Sequence, residues 1–378
     1  MPAYVRAETM AVRRASPTTV LFVALAPGLG GSTRSLATLL GHLNGTRRVV
    51  ACPSPTVFTD VLDERGVFEQ RMTLPGELRS RLLSRACAAV VLAVYAKRHR
   101  KELTAIHANG LAERNVVALA ALMSRKPVVV WVHDWNVSPW SRRLAPLLRL
   151  VTPATRFVAV SEEAKEMLVS AGMTTADEVT VVPNPIDDAD VRATHRPSGP
   201  GVTVAYLGTP AHYKGFHLLP SLIRLTAEDV HWILYAGPES MMPDVWQELR
   251  ALPNDHVEMP GKVTDVRDAY ARCHIVICPS LHESFGRVVA EAMANGIPVV
   301  ASDLPPLRRL LGDDEAGLLV TPGDVHAAAA AIRELASSAE RRERMGRAGM
   351  LRVKPYEPGH VAALMAQLYR VAGAPRTD

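Results

Sequence analysis

Two glutamates and the turn between them have types and spacing that suit the binding of a polyhydroxylated anion. Glu283 and Glu291 lie eight residues apart, and residues 284–286 form a turn that is predicted to open a helix near Arg287. Eight helical residues span about 12 Å, so the two carboxylates can flank a helix N-terminus whose N–H groups favour phosphate. This arrangement suits an elongated ligand with hydroxyls at both ends and a diphosphate in the middle, the outline of a nucleotide sugar. Taken alone, two such glutamates are more often solvated surface residues.

Two further segments carry groups that suit a phosphate. Lys214 lies in a Lys-Gly pair that opens a helix after a predicted strand ending at Gly208, and its ammonium can reach a phosphate as a point charge. Gly28, Gly30 and Gly31 lie between a strand and a helix, where glycines let backbone N–H groups approach an anion. A surface helix start and an ordinary tight turn are the alternative interpretations.

The glycine cluster departs from the two best-known nucleotide fingerprints. The third glycine of G-x-G-x-x-G falls on Thr33, and no acidic residue lies near Val50, where a ribose partner would be expected. No Gly-Lys-Ser/Thr sequence is present either. These departures count against a nicotinamide-dependent oxidoreductase and against a P-loop nucleotide-triphosphate site.

One histidine and one acidic pair are further candidates. His133 ends the predicted strand Pro127–His133, where a single histidine is more often a structural residue. Asp188 and Asp190 form a short D-x-D pattern, but they lie in a predicted linker, and turn or capping carboxylates are the better interpretation. We therefore predict neither a bound metal nor a cofactor.

Alternating strands and helices must position these residues. Short β-branched runs alternate with helical patterns in both halves of the chain, which predicts an α/β protein with two doubly wound, parallel, Rossmann-like sheets covered on both faces. Ligands of such sheets bind beyond the carboxyl ends of the strands, so two facing domains would form an interdomain cleft.

The predicted organisation of the 378 residues has five parts. They are a flexible N-terminal tail at 1–17, a first Rossmann-like domain at 18–184, a polar linker at 185–200, a second Rossmann-like domain at 201–355, and a C-terminal helix at 356–378 that returns to the first domain. The N-terminal region also resembles a short secretory signal. We favour a buried strand, because the apolar run is short and Thr33–Leu43 continues as an amphipathic helix.

Composition limits the function classes. The net charge of +5 is small and dispersed, and no nucleic-acid-binding signature is present. The apolar run Ala86–Ala96 is too short to span a bilayer. Four cysteines without a CxxC pair or zinc spacing indicate free thiols in a reducing compartment. We therefore expect a cytoplasmic protein that does not bind nucleic acid.

Taken together, these segments strongly resemble the retaining family 4 (group 1) glycosyltransferases of the GT-B type, from about Val20 to the last helix. The most specific part is the E-x7-E motif of Glu283 and Glu291, which runs into AEAMANGIPVVAS and then EAGLLVTPGD at 315–324. VAVSEEAKEMLVSAG and VTVVPNPID, within 158–187, are similar to the segment before the linker. ARCHIVICPSLHESFG at 271–286 is similar to the strand that enters the donor site.

The resemblance implies transfer of a hexosyl group, with retention, from a nucleotide-diphosphate sugar to an acceptor hydroxyl, in polysaccharide, glycolipid or glycoconjugate biosynthesis. Glu283 would contact the hydroxyls of the donor sugar, Glu291 the nucleoside ribose and Lys214 the diphosphate, while His133 would lie near the transferred sugar. The other donor-binding positions implied are Gly30, Gly31, Gly208, Thr209, Lys262, Val263, Ser284, Phe285 and Gly286. Lys262 and Val263 match the region beside the nucleobase.

One position departs from the family pattern. The family usually has an arginine directly after the glycine of the second-domain strand, and this sequence has Thr209. A second phosphate-binding cation is therefore missing, or His212, Arg287 or another residue supplies it. A non-catalytic nucleotide-sugar-binding subunit on the same fold stays open as an alternative, and an oxidoreductase is less favoured.

The acceptor side is predicted from charge. Residues 65–101 carry nine Lys and Arg against two Glu, and a basic, partly apolar helix can lie on an anionic membrane. A packed helix with a solvated basic end is the alternative. The resemblance places the acceptor, often lipid-linked, on the N-terminal domain. We expect a lipid-linked or saccharide acceptor and peripheral contact with the inner face of an anionic membrane.

Overall fold

The computed structural model describes residues 18–374, apart from 27, 29, 77–79, 134–135, 153–154, 188–190, 192–200, 253–255 and 264. The predicted tail at 1–17 and most of the predicted linker at 185–200, including Asp188 and Asp190, lie outside the described residues. Two parallel sheets with helices packed on them make up the described chain, so the predicted α/β class with two Rossmann-like sheets is confirmed.

The first sheet has seven strands in the described part of the chain. They are β1 Thr18–Val23, β2 Thr46–Pro53, β3 Gln70–Leu74, β4 Ala105–Ala108, β5 Val128–Val132, β6 Thr155–Ala159 and β7 Val179–Val181. Their order is β3-β2-β1-β4-β5-β6-β7, and every pair is parallel. The central strands consist of fully buried residues such as Phe22 and Val130, as expected for a sheet covered on both faces.

Helices connect these strands. They are α1 Gly31–His42, α2 Val57–Arg65, α3 Arg81–Arg98, α4 Leu111–Ser124, α5 Pro139–Val151 and α6 Glu162–Ser170. Helix α3 packs on α4, and α4 packs on α5. Because parallel crossovers are right-handed, helices α3, α4 and α5, which lead successively from β3 to β6, form one layer on one face of the sheet.

The second sheet has six strands in the described chain. They are β8 Thr203–Leu207, β9 His231–Tyr235, β10 Val257–Glu258, β11 Ile275–Cys278, β12 Val299–Ser302 and β13 Gly317–Val320, in the order β10-β9-β8-β11-β12-β13 and all parallel. The helices that follow are α7 Leu219–Thr226, α8 Pro243–Arg250, α9 Val266–Ala271, α10 Arg287–Ala294, α11 Pro305–Leu311, α12 Val325–Ser337, α13 Ala339–Arg352 and α14 Pro358–Gly373.

Each sheet changes its winding direction beside its first strand, between β1 and β4 and between β8 and β11. The carboxyl ends of parallel strands at such a switch point form a crevice. Four segments with candidate residues begin at or next to these ends: the glycine loop follows β1, His133 follows β5 beside β4, residues 208–214 follow β8, and Glu283 lies on the loop after β11. The topology therefore brings these four loops to the sheet edges at which ligands of parallel sheets bind.

The final helix, α14, packs on the first sheet rather than on the second. It contacts α1, β1, β4 and β5. Its Tyr369 hydroxyl lies 2.8 Å from Nδ1 of His107 in β4, and both side chains are fully buried. The rings of Phe22 and Trp131 lie edge-on or tilted against His107. The C-terminal helix is thus part of the core of the first half.

The buried His107 makes stability depend on pH. Burial lowers its pKa to about 3, so below pH 6.5 the unfolded chain binds a proton that the native chain does not bind until about pH 3. The free energy of unfolding is therefore expected to fall with falling pH, by about 1.4 kcal/mol per pH unit below pH 6 from this residue alone. Urea titrations between pH 6.5 and pH 4.5 measure this effect. The free energy of unfolding should depend less steeply on pH in His107→Gln than in the wild type, and identical slopes would contradict this assignment.

Candidate active site

An ion pair between Lys214 and Glu283 lies at the centre of the candidate site. Lys214 Nζ is 2.5 Å from Glu283 Oε1, and Ser280 Oγ donates to the same oxygen at 3.0 Å. The carboxylate side chain is 9% exposed, whereas that of Lys214 is 27% exposed. Burial acts to lower the pKa of Lys214, but the charge of Glu283 outweighs it and the pKa is raised. The ammonium is therefore charged at neutral pH and accessible from one side.

A close backbone contact brings these two residues together. Gly215, directly after Lys214, has φ of +69°, and a Cβ at this position would lie 2.0 Å from the carbonyl oxygen of Pro279. Only glycine allows this approach. The carbonyl of Tyr213 also accepts a hydrogen bond from the N–H of Leu281 at 2.7 Å. The turn after β8 is thus fixed to the loop after β11, which carries Glu283.

Glu291 occupies a separate, buried position inside α10. Its side chain is 4% exposed. The hydroxyl of Tyr270 donates to its Oε2 at 2.9 Å, and Arg287 Nε lies 2.7 Å from its Oε1. Burial, together with the charge of Glu291, raises the pKa of Tyr270 well above its ordinary value, so the phenol remains a donor. The second carboxylate is therefore held from both sides.

The turn 284–286 connects the two halves of the chain at the start of α10. Ser284 Oγ donates to the backbone carbonyl of His133 at 2.6 Å, and the buried ring of Phe285 meets Tyr356 edge-on. Gly286 has φ of +91°, and a Cβ there would lie 2.3 Å from Leu307 Cδ2. Each residue of this turn therefore has its own structural role. Ser284 makes a hydrogen bond across the cleft, Phe285 packs in the core, and Gly286 adopts a backbone conformation that other residues disfavour.

Arg287 points from α10 towards the glycine loop of the first half. Its Nη1 donates to Ser35 Oγ at 3.0 Å, and its Cδ lies 3.9 Å from where a Cβ of Gly31 would be. Gly30 is the N-cap of α1, and its N–H donates to Thr33 Oγ1 at 2.9 Å. The guanidinium of Arg287 from one half therefore meets the start of α1 in the other half.

Thr209, where the family usually has arginine, lies on the surface after β8, and its carbonyl accepts a hydrogen bond from the Tyr206 hydroxyl at 3.2 Å. His212 stacks on His217 with the ring centroids 3.9 Å apart. Of the two substitute cations named from the sequence, Arg287 is the one that the structure places against the glycine loop.

His133 lies half-buried between two asparagines. Its Nδ1 is 3.0 Å from Asn184 Oδ1, and its Nε2 is 3.2 Å from Asn109 Oδ1. Burial, assisted by the positive charge of Arg287, lowers the pKa of His133 to about 3, so the ring is neutral at physiological pH. A neutral ring carries one N–H, so it can donate to only one of these two amide oxygens at a time.

Asn109 and Asn184 were not among the site residues predicted from the sequence. Asn109 directly follows β4, and its Nδ2 donates to the carbonyl of Ser32 at 3.3 Å. Asn184 follows β7 and is buried. The available signal was an amide residue at the carboxyl end of each of two predicted strands, the edge at which ligands of parallel sheets bind.

The remaining predicted positions lie around β8 and β9. The N–H of Gly208 donates to the carbonyl of Tyr235 at 3.1 Å, which fixes the end of β8 beside β9. Lys262 is exposed and Val263 half-buried, and the backbone N of Lys262 lies 3.4 Å from where a Cβ of Gly237 would be. Lys262 and Val263 therefore line the segment after β9.

The described chain shows neither a metal-ligand cluster nor a membrane-spanning helix. Within it, no group of three or more His, Cys, Asp and Glu side chains is placed to hold a metal ion. Among the same residues, no helix combines the length and the apolar character needed to cross a membrane.

Comparisons with known proteins agree with this geometry. Residues 29–190 match the family described as Glycosyltransferase Family 4, and residues 188–352 match Glycosyl transferases group 1. The chain is 30% identical over 272 residues to a phosphatidyl-myo-inositol mannosyltransferase of Mycobacterium leprae, covering 68% of each protein. It is 27% identical over 343 residues to a D-inositol 3-phosphate glycosyltransferase of Xylanimonas cellulosilytica, covering 81% of this chain and 80% of the relative.

A solved structure shares the fold. The crystal structure of Anabaena HepE in complex with UDP-glucose superposes with a TM-score of 0.79 at 20% identity, over 93% of this chain and 98% of that one. The predicted GT-B fold and the predicted family are both confirmed. The chain belongs to the group 1 (family 4) glycosyltransferases.

Proposed function

We propose that the protein is a retaining hexosyltransferase that moves a sugar from a nucleotide-diphosphate sugar to an acceptor hydroxyl. The observation that carries this proposal is the Lys214–Glu283 pair beside the start of α10, which offers a cation and a hydroxyl acceptor within one small space. Relatives support the donor class, because the HepE structure contains UDP-glucose and the Mycobacterium leprae relative is described as a mannosyltransferase.

The proposed chemistry begins with the leaving group. As the bond from the anomeric carbon to the diphosphate oxygen breaks, negative charge develops on the phosphate. Lys214, Arg287 and the N–H groups at the start of α10 are proposed to neutralise this charge. Fixed donors of this kind usually make the largest single contribution to lowering such a barrier.

Glu283 is proposed to bind hydroxyls of the donor sugar rather than to attack the anomeric carbon. One of its oxygens already accepts from Lys214 and Ser280, and the carboxylate can accept further hydrogen bonds. The new bond then forms between the acceptor oxygen and the anomeric carbon on the face that the phosphate leaves. The acceptor proton passes to a leaving-phosphate oxygen, so charge and atoms balance.

The two glutamates should have separable effects on kinetics. We expect Glu283→Gln mainly to lower kcat and Glu291→Ala mainly to weaken nucleotide binding, each by about ten- to a hundredfold, because each removes one charge-assisted hydrogen bond. Donor hydrolysis and transfer kinetics with UDP-, GDP- and ADP-sugars, together with calorimetry, measure both effects. Glu340→Gln, exposed on α13, is the matched control.

Two outcomes would contradict this division. Wild-type kinetics in both variants would show that neither glutamate contacts the donor. Tight nucleotide binding by the wild type without donor hydrolysis or transfer would favour the non-catalytic alternative, for which Thr209 in place of arginine is the supporting observation.

We further propose that transfer needs no metal ion, because Lys214, Arg287 and backbone N–H groups provide the positive charge for the diphosphate. Activity is expected to be unchanged, within assay error, after incubation with EDTA and gel filtration. Loss of activity that manganese or magnesium restores would overturn this part of the proposal.

A further inference from the structure

Helices α3, α4 and α5 expose an unusual amount of apolar surface. Of the sixteen large hydrophobic side chains that are exposed in the described chain, ten belong to these three neighbouring helices. The side chains that we call the α3–α5 face are Leu83, Val90 and Val94 of α3, Leu119 and Leu122 of α4, and Trp140, Leu147 and Leu150 of α5. Single exposed apolar residues are ordinary, but a concentration of this kind indicates an interaction surface.

The apolar residues of α5 form a stripe on the side opposite its buried face. Trp140, Leu147 and Leu150 are 70%, 57% and 80% exposed, and their spacing of seven and three residues places them on one side of the helix. Ala145 and Leu148 point inwards. The outer side of α5, which would be polar in an ordinary surface helix, is therefore apolar.

Helix α3 repeats the pattern. Leu83, Val90 and Val94 are 49%, 56% and 60% exposed, and their spacing of seven and four residues again places them on one side. Neither helix has packing in the described structure that covers these residues. Because α3 and α5 both pack on α4, the two stripes belong to the same outer layer of the first half.

The exposed charges of helices α3, α4 and α5 are basic, whereas the adjoining Glu102 and Glu178 pair with Arg47 and Arg149. Neither α3 nor α5 contains Asp or Glu, and the carboxylate of α4, Glu113, is buried and accepts from the N–H of Leu25. The exposed basic residues of the layer and its edge are Arg85, Lys97, Arg98, Arg100, Lys101, Arg142, Arg143 and Arg149. Among the described residues, Arg149 pairs with Glu178, whereas Arg142 and Arg143 have no carboxylate partner.

We infer that the α3–α5 face docks on an anionic lipid bilayer. Apolar side chains, including a tryptophan, between basic side chains are what the boundary between headgroups and acyl chains accommodates. A second copy of the chain is a poorer occupant, because two such faces would bring like charges together. This inference goes beyond the proposed function, since docking requires neither a donor nor sugar transfer.

Docking would place the membrane next to the cleft. Trp140 follows His133 by seven residues, and α4 and α5 both begin at the carboxyl edge of the first sheet, where Asn109 and His133 lie. An acceptor hydroxyl carried on a lipid headgroup would thus reach the candidate site from the side of the first half. This extension, unlike docking itself, rests on the proposed function.

Vesicle flotation of the full-length protein tests the inference. The wild type is expected to float with vesicles of equimolar phosphatidylcholine and phosphatidylglycerol, and not with phosphatidylcholine alone. Arg142→Gln/Arg143→Gln should weaken binding by about 25-fold, since each basic residue near an anionic surface contributes about fivefold. Leu147→Ser/Leu150→Ser should weaken it by about tenfold or more through lost apolar burial.

Matched controls lie on α13 in the second half. Leu351→Ser removes a side chain that is 65% exposed, and Arg344→Gln removes an exposed charge; both should bind vesicles like the wild type. Nucleotide affinity, measured on every variant, shows that the fold is kept and separates a failure of docking from a failure of the proposed function. If a variant fails to fold, the dependence of wild-type vesicle binding on salt and on anionic lipid still tests the inference.

Three results would overturn the inference. The first is equal binding of the wild type to anionic and neutral vesicles. The second is an equal loss of vesicle binding in the α5 and α13 variants. The third is the conversion of a dimer to a monomer by the α5 variants without any change in vesicle binding. The last would assign the face to a second copy of the chain.

Discussion

Lys214→Ala is expected to lower kcat/KM for the donor by about 10²–10³-fold, the largest effect of any single substitution in the site. The substitution removes the ammonium that lies 2.5 Å from Glu283 and leaves a carboxylate that is 9% exposed without its cation. Both consequences act against a diphosphate, because the site loses a positive charge and keeps a negative one. Steady-state kinetics and calorimetry with the nucleotide diphosphate measure the loss, and the exposed Lys354→Ala is the control.

A double-mutant cycle separates the two roles of Lys214. If the ammonium contacts phosphate, the Lys214→Ala/Glu283→Gln variant should bind the nucleotide diphosphate much more weakly than Glu283→Gln alone. If instead Lys214 serves only to hold Glu283, the double variant should bind as Glu283→Gln does, and that result would contradict the assignment of Lys214 to the phosphate.

Gly286→Ala is expected to destabilise the protein by about 2–4 kcal/mol. The substitution places a non-glycine residue in a left-handed backbone conformation, and it also overpacks the contact with the neighbouring helix. The new Cβ would lie 2.3 Å from Leu307 Cδ2 at a φ of +91°. The turn must therefore shift, and with it the Ser284 hydroxyl that donates to the carbonyl of His133. Urea unfolding measures the stability, and calorimetry measures a parallel loss of nucleotide affinity.

The control for this substitution is Gly359→Ala, in the first turn of α14. A Cβ at Gly359 would meet no atom within 4 Å, so this variant should be as stable as the wild type. Equal stability of Gly286→Ala and Gly359→Ala would show that the turn 284–286 adapts, and would remove the steric argument for glycine at this position.

Much of the fold followed from local pattern. The six strands of the second sheet consist of short apolar runs between helical patterns, which is the pattern from which the α/β class was predicted. Strand β3 carries no such signal, because Gln70–Leu74 lies at the sheet edge, is largely half-buried and lacks an apolar run. Helix α5 carries a weak one, because Pro146 lies within it and its exposed side is apolar.

The candidate site was predictable to a smaller extent. Glu283, Glu291 and Lys214 were identified from motif spacing, and the structure places Lys214 and Glu283 in direct contact. The partners of Arg287 and His133 were not predictable, because they depend on how distant segments meet. Ser35 is 252 residues from Arg287, and Asn184 is 51 residues from His133. Spacing along a chain carries no information about which loop of one half faces which helix of the other.

The approach of Gly215 to the carbonyl of Pro279 also has an entropic consequence for the donor. A free lysine side chain loses up to about 2 kcal/mol of rotamer entropy when it is immobilised. Here the turn is fixed to the neighbouring loop and Nζ is held by Glu283, so most of that loss occurs during folding rather than during binding. An incoming diphosphate meets a cation that is already preorganised, and more of its interaction energy remains available as affinity.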